Sequence, residues 1–286
     1  MLVIVGLVVV MGCVPGGYVA MGGKLAVLMQ PFELVIIGGA GLGAFIIGNT
    51  KPVMKRAGGA FKSVLKGPKY TKADYVELLC LLYTVFRLAK TKGMLELEQH
   101  VENPHESQLF NNFPRFAADH HAVEFLCDYL RLLTLGSENP QEMESLMDAE
   151  LETHHEEDHQ IQSSMQTMAD GFPALGIVAA VLGVIKTMGS IDQPPSVLGK
   201  LIGGALVGTF LGILLAYGFF GPVAAALKMT QEAESKYLGC IKGGMLAYLN
   251  GYPPAVAVEF ARKALMSDVR PTFAEVEEAT QEAPTV

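Results

Sequence analysis

The run LIGGALVGTFLGILLAYGFFGPVAAAL, residues 201–227, contains no charged side chain between Lys200 and Lys228. A helix that crosses a bilayer needs about 20 predominantly apolar residues, and this run is longer than that. A helix that is apolar on every side must be covered all round by lipid or by other protein. The run therefore predicts a membrane-spanning helix.

Three other runs also lack charge: residues 1–23, 34–50 and 171–185. The first is long enough to cross a bilayer, and the second is near the lower limit of length. The third is short, but Lys186 can extend its ammonium group to the headgroups while apolar residues continue beyond it. The four runs together predict four membrane-spanning helices. They argue against a soluble protein in which these segments form a buried helical core.

The composition agrees with a membrane protein. Of 286 residues, 50% are hydrophobic and 17% are charged, whereas soluble domains average about 25% charged residues. The net charge of −8 gives no basic surface that would favour nucleic acid as a partner. The cysteines lie far apart with no C-x-x-C pair, so we expect isolated reduced thiols at Cys13, Cys80, Cys127 and Cys240.

Basic residues predict the orientation in the membrane. A cluster of them follows the second apolar run, and such a cluster marks the cytoplasmic side. The cluster, which has no acid before Asp74, consists of Lys51, Lys55, Arg56, Lys62, Lys66, Lys69 and Lys72. We therefore expect residues 51–169, residues 229–286 and both termini to lie in the cytoplasm. Pairs of membrane-spanning helices are then expected in residues 1–50 and 170–228.

Outside the membrane runs, apolar residues recur with helical spacing. Residues 70–92 are predicted to be helical up to Lys92-Gly93, with a stripe formed by Leu78, Leu81, Leu82, Val85 and Leu88. Further helices are predicted at residues 94–101, at residues 117–135 and from Asn139-Pro140 onward, and one at residues 255–265 precedes an acidic tail. The expected fold class is an all-α integral membrane protein with a large helical cytoplasmic insert between helices two and three and a cytoplasmic C-terminal helical segment.

Two motifs suggest other chemistry. The sequence from His155 to His159 fits the zinc pattern H-E-x-x-H, but no third ligand follows and the stretch is rich in Glu and His, so a solvated charged helix is the better interpretation. The sequence from Gly39 to Ala44 approximates a dinucleotide-binding fingerprint. That fingerprint needs an acid about 20 residues on, and none occurs before Asp74.

Small residues and prolines in the apolar runs predict close packing and kinks. Gly204, Gly208 and Gly212 form a doubled small-xxx-small pattern, and Gly199 with Gly203 forms another, so we expect these glycines to lie where helices approach closely. Proline removes a backbone hydrogen bond and bends a helix, which predicts kinks or hinges at Pro173 and Pro222.

The runs contain no ionisable side chain, although such groups mark most ion routes through membranes. Their polar candidates are the hydroxyls of Thr209 and Tyr217 in the fourth run, with Thr187 near the end of the third span. Hydroxyls can line a hydrated path, but their pKa values are too high for them to carry protons by titration at neutral pH. If the chain serves ion flow, the titrating carboxylate must come from another polypeptide. Considered by itself, Thr209 is more simply interpreted as a helix-packing residue whose hydroxyl donates to a backbone carbonyl one turn earlier in its helix.

The chain resembles the MotA flagellar stator family of the MotA/TolQ/ExbB class along nearly its whole length. The resemblance rests on blocks that are specific only in combination, from GGYVAMGG and QPFELVIIGGAGLGAFIIGN through PKYTKADYVELLCLLY, DYLRLL, FPALGIVAAVLGVI and LVGTFLGILLAYGFFGP to NGYPPAVAVEFARKAL and RPTF. It implies a pentameric ring of subunits around two helices of the partner MotB, whose aspartate carries the ion. The location implied is the bacterial inner membrane.

The resemblance also implies roles for single residues. The resemblance places the contact with the rotor protein FliG at Lys90 and Glu98. Arg87 lies one turn before Lys90, carries the same charge and is a further candidate for the role of Lys90. Many relatives have arginine at the first position, and a contact steered by long-range charge tolerates either cation. These exposed charges would otherwise be interpreted as ordinary solvated surface.

Further roles implied by the resemblance concern the ion path. The functional prolines of the family match Pro173 and Pro222, and its channel threonine matches Thr209. Sodium-driven relatives carry an additional threonine where this chain has Ala180, so the missing oxygen favours protons over sodium. No cofactor, metal or enzymatic activity is expected, and membrane lipid is an expected partner.

Three rival interpretations follow from the same residues. An ExbB/TolQ-like energiser of outer-membrane transport belongs to the same superfamily, but such proteins usually have three spans and an external N-terminus. A zinc-dependent membrane peptidase would use His155 and His159, and metal analysis of purified protein would distinguish it. A purely structural membrane scaffold would show no motility defect on deletion.

Overall fold

The computed structural model describes residues 2–67, 69–137 and 139–284. Throughout these residues the regular structure is helical, with no strand. The predicted all-α class is therefore confirmed. The helices are α1 (Leu2–Ala20), α2 (Leu25–Leu28), α3 (Pro31–Gly48), α4 (Lys51–Lys66), α5 (Lys72–Lys92), α6 (Met94–Glu102), α7 (Gln108–Asn111), α8 (Pro114–Ala117), α9 (His120–Thr134), α10 (Pro140–Met188), α11 (Pro195–Leu215), α12 (Gly221–Leu249), α13 (Pro254–Lys263) and α14 (Phe273–Gln281).

The chain divides into two compact units. The first, called the span unit, comprises Met1–Gly67 and Glu157–Thr230. The second, called the helical unit, comprises Pro68–Glu156 and Gln231–Val286. The predicted segment limits at residues 169/170 and 228/229 fall inside α10 and α12, which continue as unbroken helices past both points.

The span unit contains four helical segments long and apolar enough to cross a membrane, as the charge-free runs predict. Two of them belong to longer helical stretches, Pro140–Met188 and Pro195–Leu249. The second segment starts earlier than the charge-free run, because α3 begins at Pro31 and carries Glu33 in its first turn. An acid at that position interacts favourably with the positive end of the helix dipole.

The helical unit is organised around one apolar core. The predicted stripe of α5 is fully buried there, since Leu78, Leu81, Leu82 and Val85 have no exposed surface and Leu88 has 4%. Helix α5 ends where the sequence predicts, at Gly93, whose φ of +89° is accessible to glycine at little cost. Helix α6 starts at the next residue and ends before Asn103-Pro104, also as predicted.

The long helix expected at residues 117–135 begins three residues later than predicted, at His120. Pro114–Ala117 forms a separate turn of helix, and the chain between them breaks at Ala118 and Asp119. The Asp119 carboxylate accepts a hydrogen bond from the backbone N–H of Ala122, so this residue caps the new helix. The apolar periodicity of residues 117–135 gives no sign of this cap.

Candidate functional site

The third and fourth membrane segments approach each other along a line of small residues. A Cβ atom on Gly176 would stand 2.9 Å from the backbone oxygen of Gly208 and 3.1 Å from Cα of Gly212. A Cβ on Gly212 would stand 2.5 Å from the backbone oxygen of Phe172. We call this line, consisting of Gly176, Gly183, Ala205, Gly208 and Gly212, the glycine seam. Its helices pack backbone to backbone because no side chain separates them.

The glycines are predicted to pack against neighbours in this chain or in others, and within this chain only some of them do so. Gly208 and Gly212 lie in the glycine seam, whereas Gly204 faces the side-chain amide of Gln30. Gly199 and Gly203 have open space where a Cβ would be. Within one helix, therefore, the pattern of small residues marks a close helix contact at some positions and an unfilled surface at others.

Thr209 and Ala180 lie at the same level of the glycine seam. A Cβ on Gly208 would stand 3.2 Å from the Ala180 nitrogen, and one on Gly176 would stand 3.4 Å from Cα of Thr209. Across the described ranges the half-buried Thr209 makes no hydrogen bond through its hydroxyl. Thr187, by contrast, donates from its hydroxyl to the Gly183 carbonyl at 2.8 Å. Thr209 thus presents a free hydroxyl within an otherwise apolar segment.

Tyr217 does not lie beside Thr209. Eight residues, or about 12 Å of helix, separate the two positions. The Tyr217 side chain is 70% exposed. It belongs to a short π-helical turn, Ala216–Phe220, that interrupts the fourth segment.

Both predicted hinge prolines stand next to irregular or tight structure. The π-helical turn directly precedes Gly221 and Pro222, and its wider winding makes room for a proline ring that would otherwise strike the carbonyl of the preceding turn. Pro173 lies inside α10, next to Phe172. The Phe172 carbonyl faces Gly212, so a bend of α10 at Pro173 would alter the distance between the two helices at the seam.

Charged groups are absent from the middle of all four segments. Residues 2–20, 34–48, 171–185 and 201–220 contain no Lys, Arg, Asp, Glu or His. Glu33, in the first turn of α3, is the acid that comes nearest in sequence to the second run. The seam itself consequently offers a hydroxyl but no group that can exchange a proton near neutral pH.

The predicted rotor-facing charges belong to the helical unit. Lys90 and Glu98 are exposed on α5 and α6, the two helices joined through Gly93. In the part of the chain that the structure describes, neither has an ion-pair partner. Arg87 is different: its Nη2 donates to the Pro284 carbonyl at 3.0 Å and its guanidinium lies 5.5 Å from the Tyr83 ring centroid. Arg87 is therefore held by the C-terminal segment.

A polar network that the sequence does not reveal lies behind α5 in the helical unit. The Tyr70 hydroxyl donates to Asp119 at 2.6 Å, and Lys69 Nζ lies 3.2 Å from the same carboxylate. The Tyr70 ring stacks on that of Tyr237 with centroids 3.9 Å apart. Burial and the Asp119 hydrogen bond raise the pKa of Tyr70. Burial opposes ionisation of Asp119, but Tyr70 and Lys69 outweigh it and hold the pKa of this carboxyl below its ordinary value.

The two discounted motifs have no supporting geometry. Among the described residues, no three His, Cys, Asp or Glu side chains are grouped to hold a metal ion, and both His155 and His159 are exposed. The glycine-rich stretch 39–44 lies within α3 rather than at the turn that follows a strand. Of these glycines, Gly41 closely approaches the Phe172 ring, where a Cβ would stand 2.7 Å from Cε1.

Sequence comparison gives relatives over nearly the whole chain. Residues 4–93 match the model of the motility protein A N-terminal region, and residues 117–239 match that of the MotA/TolQ/ExbB proton channel family. The chain is 49% identical to Motility protein A of Escherichia coli over 278 residues, which is 97% of this chain and 94% of that protein. It is 35% identical to the chemotaxis protein LafT of Vibrio parahaemolyticus, with 95% of each chain covered.

Solved structures share the fold. The chain matches the Campylobacter jejuni MotAB structure with a TM-score of 0.78 and 21% identity, covering 93% of this chain and 96% of that one. The flagellar MotAB stator complex of Bacillus subtilis matches with a TM-score of 0.73 and 23% identity, covering 96% and 98%.

The four apolar segments and the family matches over nearly the whole chain define a membrane subunit of the proton channel class. Within that class, the extent and identity of the match to Motility protein A decide the assignment. The chain belongs to the MotA family of motility proteins.

Proposed function

We propose that the chain is the stator subunit that, together with MotB, forms a proton channel and couples ion flow to torque on the flagellar rotor. The observation that carries the proposal is the unpaired hydroxyl of the half-buried Thr209, which stands next to the glycine seam in a segment without Lys, Arg, Asp, Glu or His. That hydroxyl can hydrate and orient an ion carrier but cannot carry a proton itself. The carrier is the aspartate of MotB.

Exposed apolar surface on the fourth segment is available to a membrane partner. On the fourth segment the side chains at positions 202, 206, 213 and 217 are exposed. Successive positions in this set are four, seven and four residues apart. This spacing puts them on one stripe of the helix. We assign the stripe to contacts with MotB helices and with neighbouring copies in a pentameric ring, whereas the glycine seam joins spans three and four within one chain.

The proposed orientation places both termini and the helical unit in the cytoplasm of a bacterium, with the spans in the inner membrane. The basic cluster after α3 supports it. Further support comes from one apolar cluster that gathers Val3, Phe45, Met168 and Phe220. These residues stand at the start of span one, the end of span two, the start of span three and the end of span four. All four are thus on one side of the bilayer.

The proposed mechanism uses charge and the two prolines. Protonation of the MotB aspartate beside Thr209 and Ala180 removes a charge from a site of low dielectric, where charge is costly. The favoured position of the ring around MotB then changes. The bends at Pro173 and Pro222 transmit this step, and Lys90 and Glu98 act on FliG through their exposed charges. Ala180 supplies no oxygen ligand, so the ion is a proton rather than sodium, and no cofactor takes part.

A hydroxyl deletion tests the ion path. The chain and its MotB partner are expressed in Escherichia coli that lacks its own Motility protein A, and swimming and proton leak are measured. Thr209→Val removes the free hydroxyl at nearly constant volume and is expected to reduce both. Thr187→Val, whose hydroxyl is already bonded to the backbone, is the control and is expected to retain both. Full swimming and leak with Thr209→Val and Pro173→Ala would refute the mechanism.

Charge reversal tests the rotor contact in the same strain. Lys90→Glu is expected to impair swimming while leaving the amount of stator in the membrane unchanged, because its side chain is exposed and unpaired in the described chain. A compensating reversal on FliG should restore swimming. Lys263→Glu, at another exposed lysine of the helical unit, provides the control. Equal effects of the two reversals would argue against a specific contact at Lys90.

A further inference from the structure

Helix α4 is a basic amphipathic helix that the proposed torque mechanism does not use. It begins at Lys51, three residues after α3 ends at Gly48, so chain connectivity holds it at the membrane surface. Four lysines lie on it at positions 51, 55, 62 and 66, and all four are exposed. We call them the lysine stripe.

The four lysines share one narrow face of the helix. At 100° per residue, positions 51, 55, 62 and 66 fall within an arc of about 60° and extend over about 22 Å of helix. The buried residues of the helix, Ala57 and Val64, point in nearly the opposite direction. They pack in one cluster with Ile161, Met165, Val223, Ala224 and Leu227 of the span unit. The lysine stripe therefore points away from the packed spans.

The charges of the lysine stripe are not neutralised within the chain. In residues 2–67, 69–137 and 139–284, none of the four lysines has an ion pair. Arg56 lies off the stripe and does have one, because its Nη1 lies 2.7 Å from Glu157 Oε2. Arg56 is thus paired with Glu157 of α10, whereas the four outward lysines have no ion-pair partner among the described residues.

The start of α4 adds to the uncompensated positive charge. Its first turn contains no acidic residue, and Thr50 makes no side-chain cap. The helix dipole places partial positive charge at this end, so Lys51 stands where a cation is unfavourable unless an anion lies nearby. Both the stripe and the helix terminus would therefore be stabilised by the same anionic ligand.

We propose that the lysine stripe binds the phosphate groups of anionic phospholipids in the leaflet next to the helical unit. Connectivity to α3 places the start of the stripe, at Lys51 and Lys55, next to the membrane, and four outward ammonium groups complement a row of lipid phosphates. The bound lipids anchor α4 against the bilayer, and α4 in turn braces the ends of the spans.

Lipid selectivity of the purified complex tests the proposal. The full chain with its membrane partner is delipidated in mild detergent and exposed to equal amounts of dioleoyl phosphatidylglycerol and dioleoyl phosphatidylcholine. Native mass spectrometry then counts the lipids of each type that stay bound. Each surface lysine contributes roughly a fivefold preference for an anionic lipid, so we expect Lys55→Gln, Lys62→Gln and Lys66→Gln combined to lower the glycerol-to-choline ratio by about tenfold or more.

Two matched variants make the result specific. Lys90→Gln, Lys92→Gln and Lys263→Gln combined remove the same charge from exposed lysines of the helical unit and are expected to keep the selectivity. Arginine at positions 55, 62 and 66 keeps the charge and should restore selectivity if the glutamine variant has lost it. An unchanged ratio in the α4 glutamine variant, or an equal loss in the control triple, would overturn the proposal. An altered subunit number with unchanged lipid selectivity would also overturn it and would assign the stripe to a neighbouring copy.

Discussion

The span unit and the helical unit use different residue types where their helices pack together. In the span unit, close contacts run through glycine and alanine, and many large apolar side chains remain exposed, such as Leu206 at 63%. In the helical unit, large apolar and aromatic side chains form a single core that includes Leu82, Phe86 and Tyr237, each at most 1% exposed. The difference follows from the two solvents that they meet. Water drives apolar side chains inward, whereas lipid does not, and helices in lipid associate through close backbone approach.

The same contrast appears in the polar groups. The helical unit carries capping boxes at Thr71 and Thr272, ion pairs and the Tyr70–Asp119 network. The middle of the membrane segments carries only hydroxyls, because an unpaired charge there is costly. The helical unit therefore satisfies its polar groups through its own contacts, whereas the apolar outer surface of the span unit is left to lipid or to other membrane helices.

The largest expected effect is on stability, and it distinguishes a core substitution in the helical unit from a surface substitution in the span unit. Phe86→Ala deletes a ring that is 1% exposed and should lower the free energy of unfolding of the helical unit by about 3–5 kcal/mol. Leu206→Ala, its counterpart on an exposed face of the span unit, should change that stability little and weaken association with MotB instead. Thermal melting of the purified protein and co-purification of MotB measure the two effects. Equal losses of thermal stability in both variants would break the comparison.

A smaller effect is expected from adding one methyl group to the glycine seam. The new Cβ in Gly212→Ala meets the Phe172 backbone oxygen, which cannot move as a flexible side chain would, so we expect a cost of about 1–3 kcal/mol. Swimming and the yield of assembled complex should both fall. Gly203→Ala is matched in helix and chemistry but meets open space, and it should be tolerated. If both substitutions behave alike, spans three and four do not pack through the seam.

The third effect is a pH dependence confined to the helical unit. The folded-state pKa of Asp119 is lowered, so its stabilisation is present above the unfolded value, near pH 4, and is lost as pH falls through the folded value. Asp119→Asn should remove about 1–3 kcal/mol at neutral pH and flatten the acid limb of the stability curve. Melting temperature measured from pH 3 to about 7 tests this. If the melting temperature of Asp119→Asn falls with decreasing pH as steeply as that of the unaltered protein, other carboxylates are responsible for the acid sensitivity.

The sequence predicts most of the fold because its strongest signals are local. Missing charge locates the four membrane segments, and helical periodicity with Gly93 and Asn103-Pro104 locates α5 and α6. Helix starts are predicted less well. The cap at Asp119 and the entry of α3 at Pro31 depend on single hydrogen bonds and on one proline, which periodicity does not register.

The sites are less accessible to sequence reasoning than the fold. The glycine pattern predicts close packing, but only the structure distinguishes Gly212, in the seam, from Gly203, in open space. The Tyr70–Asp119 contact joins residues 49 apart and leaves no pattern in the sequence. The lysine stripe, in contrast, is visible in the spacing of its residues once α4 is known to be a helix.

The most direct test of the central claim is proton flux into liposomes that contain the purified chain with and without MotB. The claim is that the membrane segments of this chain contribute the seam and its hydroxyl while the partner contributes the ion-carrying acid. Flux followed by a pH-sensitive dye under an imposed potential should appear only when both proteins are present and should vanish when the MotB aspartate is replaced by asparagine. Proton flux through liposomes that contain this chain alone would contradict the account.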